Sequence, residues 1–455
     1  MKRRSLLIIL PVLALAAGFA PVFGAQDPDL PGLDLPAPPE LERAEEISLG
    51  EAMRLADTRN RDLNALRTDL AAAAASLKDS WAGLLPSVYG SAAYTLYDHN
   101  EVSTQNNQSV ETRARHALSA GVTISAPLVS AGQWLMVGLA RQQRDVSRLT
   151  VENARQELLY AVGSAYVQAA AQQALVEVFE TQVDAVKRHL AVALRRYQTG
   201  AGSLTEVTQA RTELAGVAEG LHTAFYAVAK SRDALALLCG STMPLKPGPT
   251  PEDIAPLPGA TGDDAALSAR LDLRLARGQE AAATTALKAQ YLQFVPTVSL
   301  NFGFNYAFIT PDNPLAAVDQ SRWTLGLNLS VPLFDYGIYP SLDAKKAALA
   351  KATLSAEALT LEAASRLRQA RRDVEQARDL VLTAGIKQDL ARQTLSMTET
   401  DYALGTGSAL AVVDARRSLH AARVDVLSRR LDLLLARLGL AREEGTDLGL
   451  LAKEP

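Results

Sequence analysis

Five histidines, one cysteine and a paired Gly-x-Gly are the residues of this 455-residue chain whose types could do chemistry. His99, His116, His189, His222 and His420 are scattered, without the close spacing that brings two ligands onto one metal ion. Cys239 ends the apolar run Ala234-Leu235-Ala236-Leu237-Leu238-Cys239 and reads as a packed core thiol; one cysteine builds neither a disulfide framework nor a Cys-rich metal site. Gly200-x-Gly202 lacks the third glycine and the strand-to-helix setting of a dinucleotide site. No Gly-x-x-x-x-Gly-Lys-Ser/Thr phosphate loop occurs, and no Ser, Cys and His constellation stands out. The expectation is therefore no enzyme, no cofactor and no metal. Charge removes another class: 46 Lys and Arg against 50 Asp and Glu leave a net −4, with no basic excess to neutralise phosphates, so no nucleic-acid partner is expected. The composition is 48% hydrophobic but only 5% aromatic, carried by Ala and Leu among Arg, Glu and Gln, which is the make-up of long helices.

The elements that would position such a chain occur twice. Leu84-Leu85-Pro86-Ser87-Val88 resembles Phe294-Val295-Pro296-Thr297-Val298, an offset of 296 − 86 = 210. Arg61-Asp62-Leu63 and Leu271-Asp272-Leu273 share that offset. Ala126-Pro127-Leu128-Val129 with Gly132 resembles Val331-Pro332-Leu333-Phe334 with Gly337, now offset by 205. Tyr197-Gln198-Thr199-Gly200-Ala201-Gly202-Ser203 resembles Tyr402-Ala403-Leu404-Gly405-Thr406-Gly407-Ser408, again at 205. One small length change between strands accounts for every pair, so the chain is a tandem duplication. Each half reads helix, strand, strand, long helix, turn, helix.

Strands show as period-two alternation, with Val298, Leu300, Phe302, Phe304, Tyr306 and Phe308 set against Thr297, Ser299, Asn301, Gly303 and Asn305. Trp323 to Val331 alternates likewise, and Val88 to Leu96 and Leu118 to Ile124 do so more weakly. Each run is about ten residues, the length of a tilted membrane strand. The polar stretches Asp98 to Arg115 and Thr310 to Arg322 suit solvent-facing loops, and Tyr94, Tyr97, Tyr306, Phe308 and Trp323 cluster at their ends, where an aromatic girdle would sit. Four strands cannot close a barrel, and lipid tolerates no open edge, so membrane strands require an oligomer: two chains give eight strands, three give twelve. The helical runs Gly132 to Gly200 and Gly337 to Gly405 span roughly 100 Å each at 1.5 Å per residue. Ser203 to Cys239 and Ser48 to Leu85 are about half as long, so two of them stacked match one long leg.

Lys2, Arg3 and Arg4 before the apolar stretch from Leu6 to about Phe23 mark 1–25 as a secretory signal peptide, with a retained anchor as the alternative. No later run is long and apolar enough for a spanning helix. An extended segment is expected over 26–47, a first repeat over 48–240 (strands about 87–97 and 116–126), and a Pro-rich connection over 241–264. A second repeat follows over 265–440 (strands about 297–308 and 322–332), then a C-terminal tail over 441–455.

These paired motifs resemble the TolC family of outer-membrane efflux proteins over nearly the whole mature chain. The resemblance rests on the two Leu/Val-Pro-x-Val strand starts, the two Pro-Leu-x-x-x-Gly strand ends and the two Tyr-x-x-Gly turns. It implies a mostly helical fold with membrane strands. By that resemblance the tandem helix-strand-strand-helix repeat is expected to form, as a homotrimer, a twelve-stranded transmembrane β-barrel continuous with a long periplasmic α-helical barrel. The implied role is the outer-membrane channel-tunnel of a tripartite efflux or type I secretion system. Its implied partners are a periplasmic adaptor, an inner-membrane transporter and outer-membrane lipid. A non-transporting periplasmic or surface coiled-coil scaffold is the rival reading. Family likeness puts the adaptor at Gly200, Ala201, Gly202, Gly405, Thr406 and Gly407, although glycines there also serve simply to end helices. It places Glu206, Asp414 and Tyr402 at the pore constriction, with Tyr402 able to pair with Glu206 and three Asp414 carboxylates forming a cation-favouring ring. Ala411 stands where the family often carries a second acid, which implies a weaker cation block. Arg211 and Arg416 are candidates for tip ion pairs, against the plainer reading of a solvated helix surface.

Overall fold

The structure, a computed structural model, describes residue 36 and residues 43–105, 108–248, 262–308 and 320–453. The expected signal peptide over 1–25 lies outside the described residues, as do most of the extended N-terminal segment, 249–261 of the Pro-rich connection and 309–319 of the second polar loop. Strand β1 (Glu45–Ile47) leads into helices α1 (Leu49–Arg59) and α2 (Arg61–Ala82). Strand β2 (Ser87–Leu96), a hairpin of β3 (Glu101–Gln105) and β4 (Gln108–Arg113), and β5 (His116–Val129) come next. The 68-residue α3 (Ala131–Gln198) then turns into α4 (Leu204–Cys239). After β6 (Leu245–Pro247) and α5 (Asp263–Ala269), the order repeats: α6 (Leu271–Tyr291), β7 (Thr297–Ala307), β8 (Ser321–Ser330), the 66-residue α7 (Ile338–Ala403) and α8 (Ala409–Glu443).

Three expectations are corrected. The helical run from Ser48 to Leu85 is two helices, because Asn60 takes an extended ψ of 126° and its side chain accepts from the Leu63 amide, starting a new helix there. The Asp98–Arg115 stretch is not plain loop, since β3 and β4 pair within it. Residues beyond 440 are not a loose tail: α8 runs on to Glu443, and a closing 3-10 turn (Leu448–Lys453) buries Leu448 and Leu451 in the core.

β2, β5, β7 and β8 form one antiparallel sheet in that order. Its register lines up Val88, Ile124, Phe302 and Leu325 across the strands, and beside them Gly90, Val122, Phe304 and Trp323. One face is thus apolar over all four strands, while Ser125, Asn301 and Gly326 share the other. Leu325, Leu327 and Leu329 on β8 stay more than half exposed. Among the described residues β2 and β8 each have a partner on one side only.

The main core lies at the middle of the long helices, where Met53, Leu159, Val162, Tyr166, Leu235, Cys239 and Leu438 are buried together. Burial raises the Cys239 thiol to about 11, so it stays protonated and inert. β1 pairs in parallel with β6 across this level, and the buried Tyr166 hydroxyl, within 3.2 Å of the Ile47 carbonyl and 3.3 Å of the Gly248 carbonyl, pins the pair.

Short helices meet end to end here. Asn60, at the start of α2, donates from Nδ2 to the Leu238 carbonyl at the end of α4 (3.0 Å). Arg270, at the start of α6, donates to the Glu443 carbonyl at the end of α8 (3.1 Å) and pairs with the Glu443 carboxylate and Asp272. Orphan carbonyls of one helix are thus satisfied by the first residues of the next. Among the described residues no helix is long and apolar enough to cross a membrane.

Candidate functional site

At the end of the long helices remote from the sheet, the two Tyr-x-x-Gly turns reverse the chain by the same hydrogen bonds. The amides of Ala201 and Gly202 both donate to the Arg196 carbonyl (2.8 and 2.9 Å), and those of Thr406 and Gly407 both donate to the Asp401 carbonyl (3.0 Å each). Gly200 and Gly405 stand at φ +72° and +80°, where a side chain is strained. Gly202 and Gly407 are glycines for another reason. A Cβ at 202 would lie 2.9 Å from the Cβ of Arg196, and one at 407 would lie 3.0 Å from the Tyr402 amide. Ser203 and Ser408 then cap α4 and α8, accepting from the Glu206 and Ala411 amides. Ala201 and Thr406 are exposed at the turns.

Side chains from three helix ends converge just inside these turns. The Tyr402 hydroxyl donates to Glu206 Oε2 at 3.4 Å, and the Arg196 guanidinium lies over the Tyr402 ring, 4.5 Å from its centroid. Partial burial, and then the charge of Glu206, push the Tyr402 phenol above its ordinary value. Asp414 stands apart, exposed on α8. Arg211 is half-buried on α4. Arg416 is not on a solvated face: it is only 7% exposed, with Nη2 3.1 Å from Glu399 Oε1 and Nη1 3.9 Å from Glu213 Oε2.

Sequence reasoning passed over Glu213, Glu399, Arg196 and the role of His189. Glu213 shares the buried stripe of Val207, Ala210 and Leu214 on α4 and is 3% exposed. A charge in phase with that stripe was the available signal. Burial raises its carboxyl above the usual range despite Arg416 and Arg417 nearby. His189, also buried, is held down to about 4, first by burial and then by Arg416. A groove of about 440 Å³ between α3, α7 and α8 is lined by His189, Arg416, Glu399 and Tyr402, with Arg188 and Arg423 at its walls.

At the sheet end, Tyr94, Tyr306 and Trp323 fall on the apolar face near the loop ends. Tyr94 bonds His116 Nδ1 at 2.8 Å, and Tyr306 packs on Phe308 with ring centroids 4.9 Å apart. Tyr97 directly follows β2 and is half-buried. A second aromatic set, unforeseen, lies where strands meet helices: Trp81 packs edge-on to Trp134, and Phe294 on Tyr339, each pair at 5.8 Å.

The arrangement has known counterparts. The chain is 24% identical over 410 residues to the outer membrane protein TolC of Vibrio cholerae, covering 88% of this chain and 91% of that one. It is 27% identical over 409 residues to the toluene efflux pump outer membrane protein TtgC of Pseudomonas putida, covering 85% and 80%. Solved structures share the fold. CusC, described for its folding and transmembrane channel formation, superposes with a TM-score of 0.78 at 20% identity over 91% of this chain and 99% of that one. The CmeC outer membrane channel of Campylobacter jejuni gives 0.76 at 17% over 87% and 85%. The sequence pattern of the outer membrane efflux proteins matches residues 52–241 and 264–446, one stretch for each repeat, and this chain belongs to that family of the outer membrane.

Proposed function

We propose that three copies of this chain assemble into a channel-tunnel, the outer-membrane part of a tripartite efflux or type I secretion system. An inner-membrane transporter and a periplasmic adaptor deliver the cargo. The observation that carries this reading is a four-stranded sheet with one apolar face and a bare strand at each side, β2 and β8. Three such sheets, edge to edge, make twelve strands and leave no rim exposed to lipid. A stripe on the lower half of α7 supports the same assembly: Leu382, Ile386, Leu390 and Met397 fall within one face of the helix and are more than half exposed, a surface for a neighbouring copy to cover. The two aromatic sets bracket the strands, as interfacial belts do.

On this reading the adaptor meets the turns at Gly200–Gly202 and Gly405–Gly407. Glu206, Tyr402 and Asp414 form the constriction behind them, and the β1–β6 pair lies at the middle of the helices. In detergent extracts of outer membranes the protein is expected as a trimer that conducts in planar bilayers; a water-soluble monomer with wetted strands overturns the reading. Valine at Gly200 or Gly405 is expected to abolish export while trimers still form, and normal export by both variants removes the adaptor from these turns.

A further inference from the structure

The geometry points to Arg416 as a positioning residue for the closed tip: from α8 it compensates two carboxylates, Glu399 on α7 and Glu213 on α4, so that the seam between the two helical hairpins, and not the turns alone, resists parting. The inference rests on the proposed constriction and adds a second level of closure above it. Arg416 meets Glu399 at 3.1 Å but stands 3.9 Å from Glu213, and among the described residues neither Glu213 oxygen has a hydrogen-bond partner. Glu399 is half exposed and can be hydrated, whereas Glu213 is not and cannot. The two acids therefore differ in what they need. Removing Arg416 leaves Glu399 in water but strands a carboxylate in a buried seam, the costliest way to break a buried pair. Removing the Glu213 charge leaves Arg416 its better bond. The tie is thus asymmetric, and the asymmetry is its signature.

Protons should act on it with a definite sign. Glu213 is held above the ordinary carboxylate value in the closed seam and returns to it once hydrated, so the closed seam binds the proton more tightly. Acid favours closure through Glu213, starting as pH falls through its raised value and complete below about 4.5. His189, on α3 beside Arg416, acts oppositely: at about 4 when closed and 6.5 when hydrated, it favours parting as pH falls from 6.5 towards 4. Arg417 on α8 and Glu399 on α7 are the other charges that bear on these two groups.

The test is single-channel recording of the full-length protein in planar bilayers, with Arg416→Met, Glu213→Gln, the double variant and Tyr402→Phe, each also carrying His189→Gln. Arg416→Met should raise the conducting fraction at pH 7.5 by about tenfold or more, the population change that each ~1.4 kcal/mol of lost closure produces. The double variant should return to within about twofold of the parent, an energy difference of only ~0.4 kcal/mol. Acidification to pH 5 should quieten Arg416→Met but not the double variant. A packing role for Arg416 predicts instead that Glu213→Gln and acid fail to rescue, and either failure overturns the inference. If Tyr402→Phe raises conduction while Arg416→Met, still trimeric, does not, the constriction stands and the seam tie falls. If neither does, the constriction reading falls with it.

Discussion

The two helix-turn-helix tips are copies of one another in backbone and opposites in chemistry. Both turns send two amides to one carbonyl, both hold a glycine at positive φ and another against the helix, and both start the next helix with serine. At the offset of 205, however, Glu206 faces Ala411, Arg196 faces Asp401 and Gln209 faces Asp414. Tyr197 packs on the apolar cluster of Ala193, Val207 and Ala210, while its counterpart Tyr402 reaches Glu206 and lies under Arg196. Duplication preserved what the turn needs sterically and released everything else. The charges then gathered where the hairpins face each other.

The comparison breaks first if the turns are not energetically alike. Gly202→Val and Gly407→Val drive a side chain into the preceding helix end, and each should cost about 1–3 kcal/mol, read as matching drops in the unfolding midpoint of the detergent-solubilised protein. Unequal drops deny that the copies share one steric rule. Ser203→Ala and Ser408→Ala should each cost about 1 kcal/mol by the same measurement. The remaining predictions test the divergence. Tyr402→Phe removes a long hydrogen bond and should raise channel conductance modestly, by a loss of about 0.5–1 kcal/mol of closure, whereas Tyr197→Phe should change nothing. The smallest effect is expected for Asp414→Ala, which should weaken divalent-cation block without altering trimer yield; Gln209→Ala is its control.

Much of this was legible in the residues because the signals are periodic. Thr297–Ala307 and Ser321–Ser330 alternate cleanly, so strand limits fell within two residues of those observed. The 66- and 68-residue helices lack interior prolines beyond the first turn. What escaped is non-local or single-residue. Asn60 breaks a helix with one side chain, an N-cap hidden inside an unbroken helical composition. β1 and β6 are three residues each and meet across about 200 positions. The seam charges escaped because a charge in phase with an apolar stripe is buried at one position and exposed at another according to its neighbours; Arg416 and Arg211 occupy matching positions, yet only Arg416 is buried.

The end-to-end joints at Asn60–Leu238 and Arg270–Glu443 carry a mechanical meaning. In these two legs the upper and lower rods are held by side chains and aligned dipoles rather than by continuous backbone. Parting an upper rod from its lower one breaks side-chain contacts and no helical backbone hydrogen bond, whereas α3 and α7 run through this level uninterrupted. Each half of the molecule therefore sets a continuous mast beside a jointed one, and both joints lie at mid-height.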